Sequence, residues 1–241
     1  MRNAATTVAV VGMDGRFSPP LPHQVEVLNT WPKIDIYRWG RGGAKTATMV
    51  EKALVAAARW PGITISYIVP VNAILQQAVY PKLRAWQSAN IREHEYDPIA
   101  RWPENRYYLR FRWGSELHFH TATNINHFRG GDNGLIIIDE GGYIEGGQEA
   151  MAAILPSLRG IGPGCLVVGG TPDGSEGILG SLCSLLGWEP DSQLDRLETT
   201  VRVGDQDISG RITRHATVDN IYYPRASIEL ARMTMTPERF A

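Results

Sequence analysis

Leu135-Ile136-Ile137-Ile138 has no polar residue to alternate with its apolar ones, and it runs directly into Asp139-Glu140. A strand of this kind cannot leave one face in water, so it belongs inside a sheet covered by helices on both sides. Cys165 to Gly169 has the same character and ends in Gly170-Thr171-Pro172-Asp173-Gly174. Upstream, Lys33 to Trp39 alternates as a strand and enters Gly40-Arg41-Gly42-Gly43-Ala44-Lys45-Thr46. Thr46 to Arg59 then sets Val50, Leu54 and Ala57 on one helical face. Pro61-Gly62 closes that helix, Ile63 to Val69 reads as a buried parallel strand, and Val71 to Trp86 reads as the next helix. The βαβα alternation predicts an α/β fold with a mostly parallel sheet and right-handed crossovers. Ligands of such sheets sit beyond the carboxyl ends of the strands, so the glycine loop, Asp139-Glu140 and Thr171 are expected to share one crevice.

Around this core the sequence predicts simpler pieces. Residues 14 to 23, with Pro19, Pro20 and Pro22, read as an extended lead-in, and Gln24 to Leu28 as a short helix. From Arg106 the period changes to two, with Tyr107, Leu109, Phe111 and Trp113 on one face and Arg106, Tyr108, Arg110 and Arg112 on the other. A three-residue loop at Gly114-Ser115-Glu116 would set Phe111 opposite Phe119 and Arg112 opposite His118. Leu197 to Val218 reads as a second antiparallel pair around Gly204.

At 241 residues, 43% hydrophobic, 20% charged and a net charge of −1, the chain has the composition of a soluble globular protein. No run of about 18 apolar residues is present, so no membrane span is expected. Arg2 followed by Ala4 to Val11 lacks the small-residue cleavage motif of a signal peptide, because Gly12-Met13-Asp14-Gly15 stands there, and a cytoplasmic location is expected. Cys165 and Cys183 form neither a disulfide framework nor a CxxC motif and read as partly buried thiols.

The glycine loop departs from GxxxxGK[ST], since Trp39 stands at the first glycine and Ala44 at the last. Its physics is intact. Gly40, Gly42 and Gly43 let backbone N–H groups turn toward phosphate, Lys45 reaches the β and γ phosphates, Thr46 ligates Mg²⁺, and the helix N-terminus faces the anion. The alternative is a glycine-rich turn before a helix. Asp139 would hold Mg²⁺ through water, and Glu140 would orient or deprotonate the water that attacks the γ-phosphate. The alternative for this pair is a strand ending in solvated acids.

Taken together, these residues resemble one family, the large terminase subunit of tailed phages, in its N-terminal ATPase domain. Pro22-His23-Gln24 is similar to the family's adenine-recognising segment, and Gly40 to Thr46 to its deviant phosphate loop, where arginine follows the glycine. Gly114-Ser115-Glu116-Leu117 sits where a hairpin turn is expected. Phe128-Arg129-Gly130 resembles the arginine-glycine step, and Thr171-Pro172-Asp173-Gly174 the coupling motif. Asp219-Asn220 and Thr236-Pro237-Glu238-Arg239-Phe240 resemble the end of the ATPase domain.

The resemblance implies a P-loop NTPase of the ASCE, RecA-like type with added antiparallel hairpins. One ATPase domain would span 1–241, with a lead-in at 1–30 carrying Gln24, a core at 31–220 and a C-terminal helical segment at 221–241. It implies Mg-ATP hydrolysis driving double-stranded DNA into a procapsid in the host cytoplasm, alongside a portal protein and a small terminase subunit. A homo-oligomeric ring is implied, with a monomer in isolation. Arg41 would touch phosphate of its own subunit and Arg129 would reach a neighbour's site, a surface salt bridge being the alternative for Arg129. The nuclease domain that follows in the family is expected to be absent from this polypeptide, which reads as one domain of a longer subunit or as a naturally split one.

Some residues remain open between two readings. Arg101, Arg106, Arg110 and Arg112 among Trp102, Tyr107, Tyr108 and Phe111 suit a phosphate backbone or a charged edge strand. Thr171 couples or caps a turn. His118, His120 and His127 lack a cysteine or carboxylate pair to complete a zinc site. Two rival functions stand beside the motor: a non-catalytic nucleotide-binding or ring-assembly module, and a helicase-like DNA-dependent ATPase, which would need a second lobe.

Overall fold

The computed structural model describes residues 10–11, 17–40, 42–103, 107–122, 131–145, 147–171, 177–189, 192, 194–216 and 224–234. Two short strands, β1 (Val10–Val11) and β2 (Phe17–Ser18), pair ahead of α1 (Pro22–Asn29). The principal sheet contains β3 (Ile34–Trp39), β4 (Thr64–Val69), β5 (Ile99–Arg101), β6 (Tyr108–Phe111) and β7 (Glu116–Thr121). It is completed by β8 (Leu135–Ile138), β9 (Cys165–Gly169), β10 (Arg196–Val203) and β11 (Gln206–His215). Its order is β10-β11-β3-β9-β8-β4-β7-β6-β5, with β11 through β7 mutually parallel and both edges antiparallel. β9 thus lies between the strand entering the glycine loop and the strand ending in Asp139-Glu140.

Alternate residues of the apolar strands serve two cores. Tyr37, Trp39, Ile65, Tyr67, Leu135 and Ile137 pack beneath α2 (Lys45–Arg59) and α4 (Tyr80–His94). Ile34, Ile36, Ile68, Ile136, Ile138 and Val168 pack beneath α5 (Gly147–Ile154) and α6 (Ile178–Leu185). This is the three-layer αβα arrangement that the apolar strands require. α7 (Arg225–Thr234) follows the sheet.

The helix expected to end at Trp86 continues to His94 and stops at Glu95, whose φ is 51°. It starts as α3 (Asn72–Ile74) and passes through a π turn at Leu75–Val79 before α4. Nothing between Trp86 and Asp97-Pro98 breaks a helix, so it runs on.

The hairpin register also differs from expectation. Leu109 faces Leu117 and Tyr108 faces His118, so Phe111 does not oppose Phe119, nor Arg112 His118. The loop is Arg112-Trp113-Gly114, closed by Phe111 N–H to Ser115 O at 2.9 Å, with Gly114 supplying the left-handed residue at φ 88°. Ser115 is drawn into the interior, where its hydroxyl donates to Ala57 O at 2.8 Å and accepts from Gly62 N–H at 3.1 Å. The period-two pattern fixes which face is apolar. Moving the turn back by two residues shifts the pairing by four and preserves that pattern, and Ser115 selects the register.

β10 and β11 form the expected pair, turning at Gly204-Asp205, and β11 then joins the sheet alongside β3. A buried charge cluster fastens it there. Arg211 Nε and Nη2 donate to the two Asp35 oxygens at 2.9 and 2.7 Å. Lys52 Nζ donates to Asp35 Oδ2 at 2.7 Å and to Val27 O and Thr30 O at 2.6 and 2.8 Å. Both cysteines are free and buried, with burial pushing the Cys165 and Cys183 thiols up to about 12 and about 11.

Candidate functional site

The glycine loop leaves β3 at Trp39, a position where an open turn would want glycine. The indole is instead built into the core: it stacks on Tyr37 at 4.9 Å, and its Nε1 donates to Thr213 Oγ1 at 2.9 Å. Gly40 N–H donates to His215 O at 2.8 Å, tying the loop to the end of β11. Gly42 has φ 74°, and a Cβ on Gly43 would stand 3.0 Å from Gly40 O. Ala44 adopts φ 65°, ψ 19°, the left-handed conformation that the usual glycine at this place would take freely. The following helix begins at Lys45, so the loop delivers the chain directly to a helix N-terminus, the end that favours an anion, while Gly43 N–H donates to Gly40 O at 3.0 Å within the loop.

Lys45, Thr46, Asp139 and Thr171 come from three strand ends and meet. Lys45 Nζ donates to Trp39 O at 2.6 Å, Gly40 O at 3.2 Å and Thr171 Oγ1 at 3.2 Å. Tyr67 on β4 donates its hydroxyl to Asp139 Oδ2 at 3.0 Å, and Asp139 is fully buried. Burial pushes the Asp139 carboxyl up to about 6; Thr46 and Tyr67 hydrogen bonding and the Lys45 charge restrain the rise, and Glu140 adds to it. Burial, followed by the Asp139 charge, holds the Tyr67 phenol well above its usual range, so it stays a donor. Glu140 is half-buried with φ 54°, a left-handed turn that swings the chain away from the strand axis immediately after Asp139.

Magnesium takes oxygen donors and usually keeps several waters. Asp139 Oδ1 is buried without a hydrogen-bond partner, and the Thr46 side chain lies near the same carboxyl. That orphaned oxygen fits a hydrated Mg²⁺ held by Thr46 and Asp139. Among the described residues no cluster of three or more His, Cys, Asp or Glu forms a self-contained metal cage.

Gln24 is buried in internal contacts: Oε1 accepts from Leu21 N–H at 2.8 Å and Nε2 donates to Thr48 Oγ1 at 2.8 Å. Arg41, Arg129, Arg106 and His127 lie outside the described residues. Arg101, Arg110 and Arg112 are exposed at the β5–β6 edge, where Arg110 meets Glu116 at 3.8 Å and Arg112 Nε donates to Asp97 O at 2.6 Å. His118 Nε2 lies 3.0 Å from Glu116 Oε2.

Two residues near Asp139, Tyr67 and Lys82, belong to none of the sequence motifs. Tyr67 was visible as the one phenol in the Ile63–Val69 run, but its role depends on β4 lying beside β8. Lys82, on α4, feels the Asp139 charge, which offsets part of the lowering that burial causes.

No family model matches the sequence, and no curated protein matches it. Among solved structures, the large terminase ATPase domain of Thermus phage P74-26 superimposes with a TM-score of 0.64 at 18% identity, over 92% of this chain and 90% of that one. The fold is that of a large-terminase ATPase domain. A large terminase from a thermophilic bacteriophage, solved in complex with ADP, gives a TM-score of 0.60 at 14% identity, over 91% of this chain and 51% of that one. The HK97 bacteriophage large terminase gives 0.54 at 15%, over 73% of this chain and 38% of that one. At these identities the likeness is one of fold. No helix among the described residues is long and apolar enough to cross a membrane.

Proposed function

We propose that the chain is a Mg²⁺-dependent ATPase whose turnover drives double-stranded DNA into a viral procapsid. The observation that carries this reading is the meeting of Lys45, Thr46, Asp139 and Thr171 at the carboxyl ends of β3, β8 and β9. ATP phosphates would lie in the loop against the N-terminus of α2 and compete with the Trp39 and Gly40 carbonyls for Lys45 Nζ. Thr46 and Asp139 would hold Mg²⁺, which when bound would neutralise phosphate charge. Glu140 would orient the attacking water and accept its proton. Thr171, which already shares Lys45 Nζ, would register phosphate occupancy at the end of β9.

In this reading Gln24 reads adenine, Arg41 contacts phosphate in cis and Arg129 serves a neighbouring subunit. Portal protein, small terminase subunit and a ring on the procapsid in the host cytoplasm are the corresponding partners and setting. The arginines of the β5–β6 edge are candidates for the DNA backbone.

A second reading, nucleotide binding without hydrolysis, is favoured by two features: Ala44 in a glycine conformation, and Lys45 turned onto its own loop. Mg-ATP turnover measured over a wide range of protein concentration, with DNA and portal protein added, separates the two. Turnover that rises per subunit with concentration and disappears in Glu140→Gln supports the motor with a trans arginine. Nucleotide binding with no turnover in any of these mixtures supports the second reading.

A further inference from the structure

Ala44 stands in the left-handed conformation that the Cβ of an alanine disfavours, and its helix cap has no side-chain hydrogen bond of its own. Something in the fold must hold it. Its carbonyl is held twice by one residue, Thr48, whose N–H and Oγ1 both donate to Ala44 O at 2.9 Å. A hydroxyl has one proton, and that proton is committed to Ala44 O. Thr48 Oγ1 must therefore accept from its other neighbour, Gln24 Nε2 at 2.8 Å. That in turn fixes the amide, whose Oε1 accepts from Leu21 N–H at 2.8 Å. Gln24 and Thr48 are 2% and 0% exposed, so water cannot replace a lost link cheaply.

We propose that Leu21, Gln24, Thr48 and Ala44 form a hydrogen-bond relay in which Thr48 is a positioning residue, locking the phosphate loop in its binding shape and coupling it to the segment before α1. Breaking any link lets Ala44 relax toward ordinary backbone angles and turns the loop's N–H groups away from phosphate. The inference rests on the reading of 40–46 as a phosphate loop. It adds that Gln24 acts on the phosphate end of the site whatever it does with a base.

The test uses Mg-tripolyphosphate, which has no base, beside Mg-ATP, with affinities measured by calorimetry on wild type and on Lys45→Ala, Gln24→Met, Thr48→Ser and Thr48→Val. Thr48→Val is also combined with Ala44→Gly. Thr48→Val and Gln24→Met are expected to weaken tripolyphosphate about tenfold, the loss of one buried hydrogen bond, while Thr48→Ser stays near wild type. Glycine needs no clamp, so adding Ala44→Gly is expected to restore Thr48→Val to within a few-fold of Ala44→Gly alone. A Gln24→Met variant that loses ATP affinity but keeps tripolyphosphate affinity overturns the relay, as does a Thr48→Val variant that Ala44→Gly fails to restore. Should Thr48→Val not fold, Gln24→Met alone and combined with Ala44→Gly decides the matter by the same criteria. Tripolyphosphate binding that survives Lys45→Ala, or its absence in wild type, overturns the phosphate-loop reading and the relay with it.

Discussion

Asp139→Asn is expected to stabilise the metal-free protein at neutral pH and to lose that advantage in acid. The Asp139 carboxyl titrates at about 6 against an ordinary 3.8. Because the folded state holds the proton more tightly, ionisation opposes folding. The cost is absent below 3.8, where both states are protonated, grows between 3.8 and about 6, and is complete above that. The difference, 6 − 3.8 = 2.2, corresponds to about 3 kcal/mol at pH 7.5. Asparagine keeps an oxygen for the Tyr67 hydroxyl and carries no charge. Its amide N–H groups in place of Oδ1 carry a constant desolvation cost, so the pH-dependent part of the difference isolates the carboxylate. Urea unfolding of both proteins from pH 4 to 8, in chelator and without magnesium, reads this directly. The variant should gain on wild type through pH 4 to 6 and hold its gain above, and added Mg²⁺ should stabilise only wild type. A difference that does not change with pH, or a wild type that gains on the variant as pH rises, refutes the burial argument for Asp139.

Other outcomes follow from the same structure. Ala44→Gly should raise the melting temperature, because relief of about 1–2 kcal/mol of left-handed strain exceeds the added freedom of the unfolded chain; thermal denaturation checks this. Asp35→Asn should destabilise by about 3–5 kcal/mol, since it leaves Lys52 and Arg211 buried without their carboxylate. Denaturant titration reads the loss, and a change below about 1 kcal/mol would contradict it. Glu140→Gln should keep Mg-ATP affinity within a few-fold and cut turnover by about 100-fold or more, seen in paired binding and steady-state assays.

The centre of the fold was legible because its strands carry their burial in their composition. Leu135 to Ile138 and Cys165 to Gly169 allow no solvated face, and both lie mid-sheet. β11 was not legible as a sheet member. Arg211 and Thr213 look like solvent-facing residues of a hairpin, and their burial depends on Asp35 and Trp39, about 175 residues away along the chain. The site divides similarly. Lys45, Thr46 and Asp139 were visible from spacing, whereas Tyr67 and Thr48 act through a sheet neighbour and through a loop carbonyl. No periodicity reports either contact. In the sequence Ala44 reads only as a missing glycine; its positive φ shows that the loop keeps the glycine's shape.

Calorimetric titration of Mg-ATP into wild type and Lys45→Ala tests the central claim most directly. The account predicts one site per chain in wild type and at least a hundredfold loss of affinity in Lys45→Ala, with folding unchanged by circular dichroism. Equal binding by the two proteins would contradict it, because the phosphates would then lie somewhere other than the loop from Gly40 to Thr46.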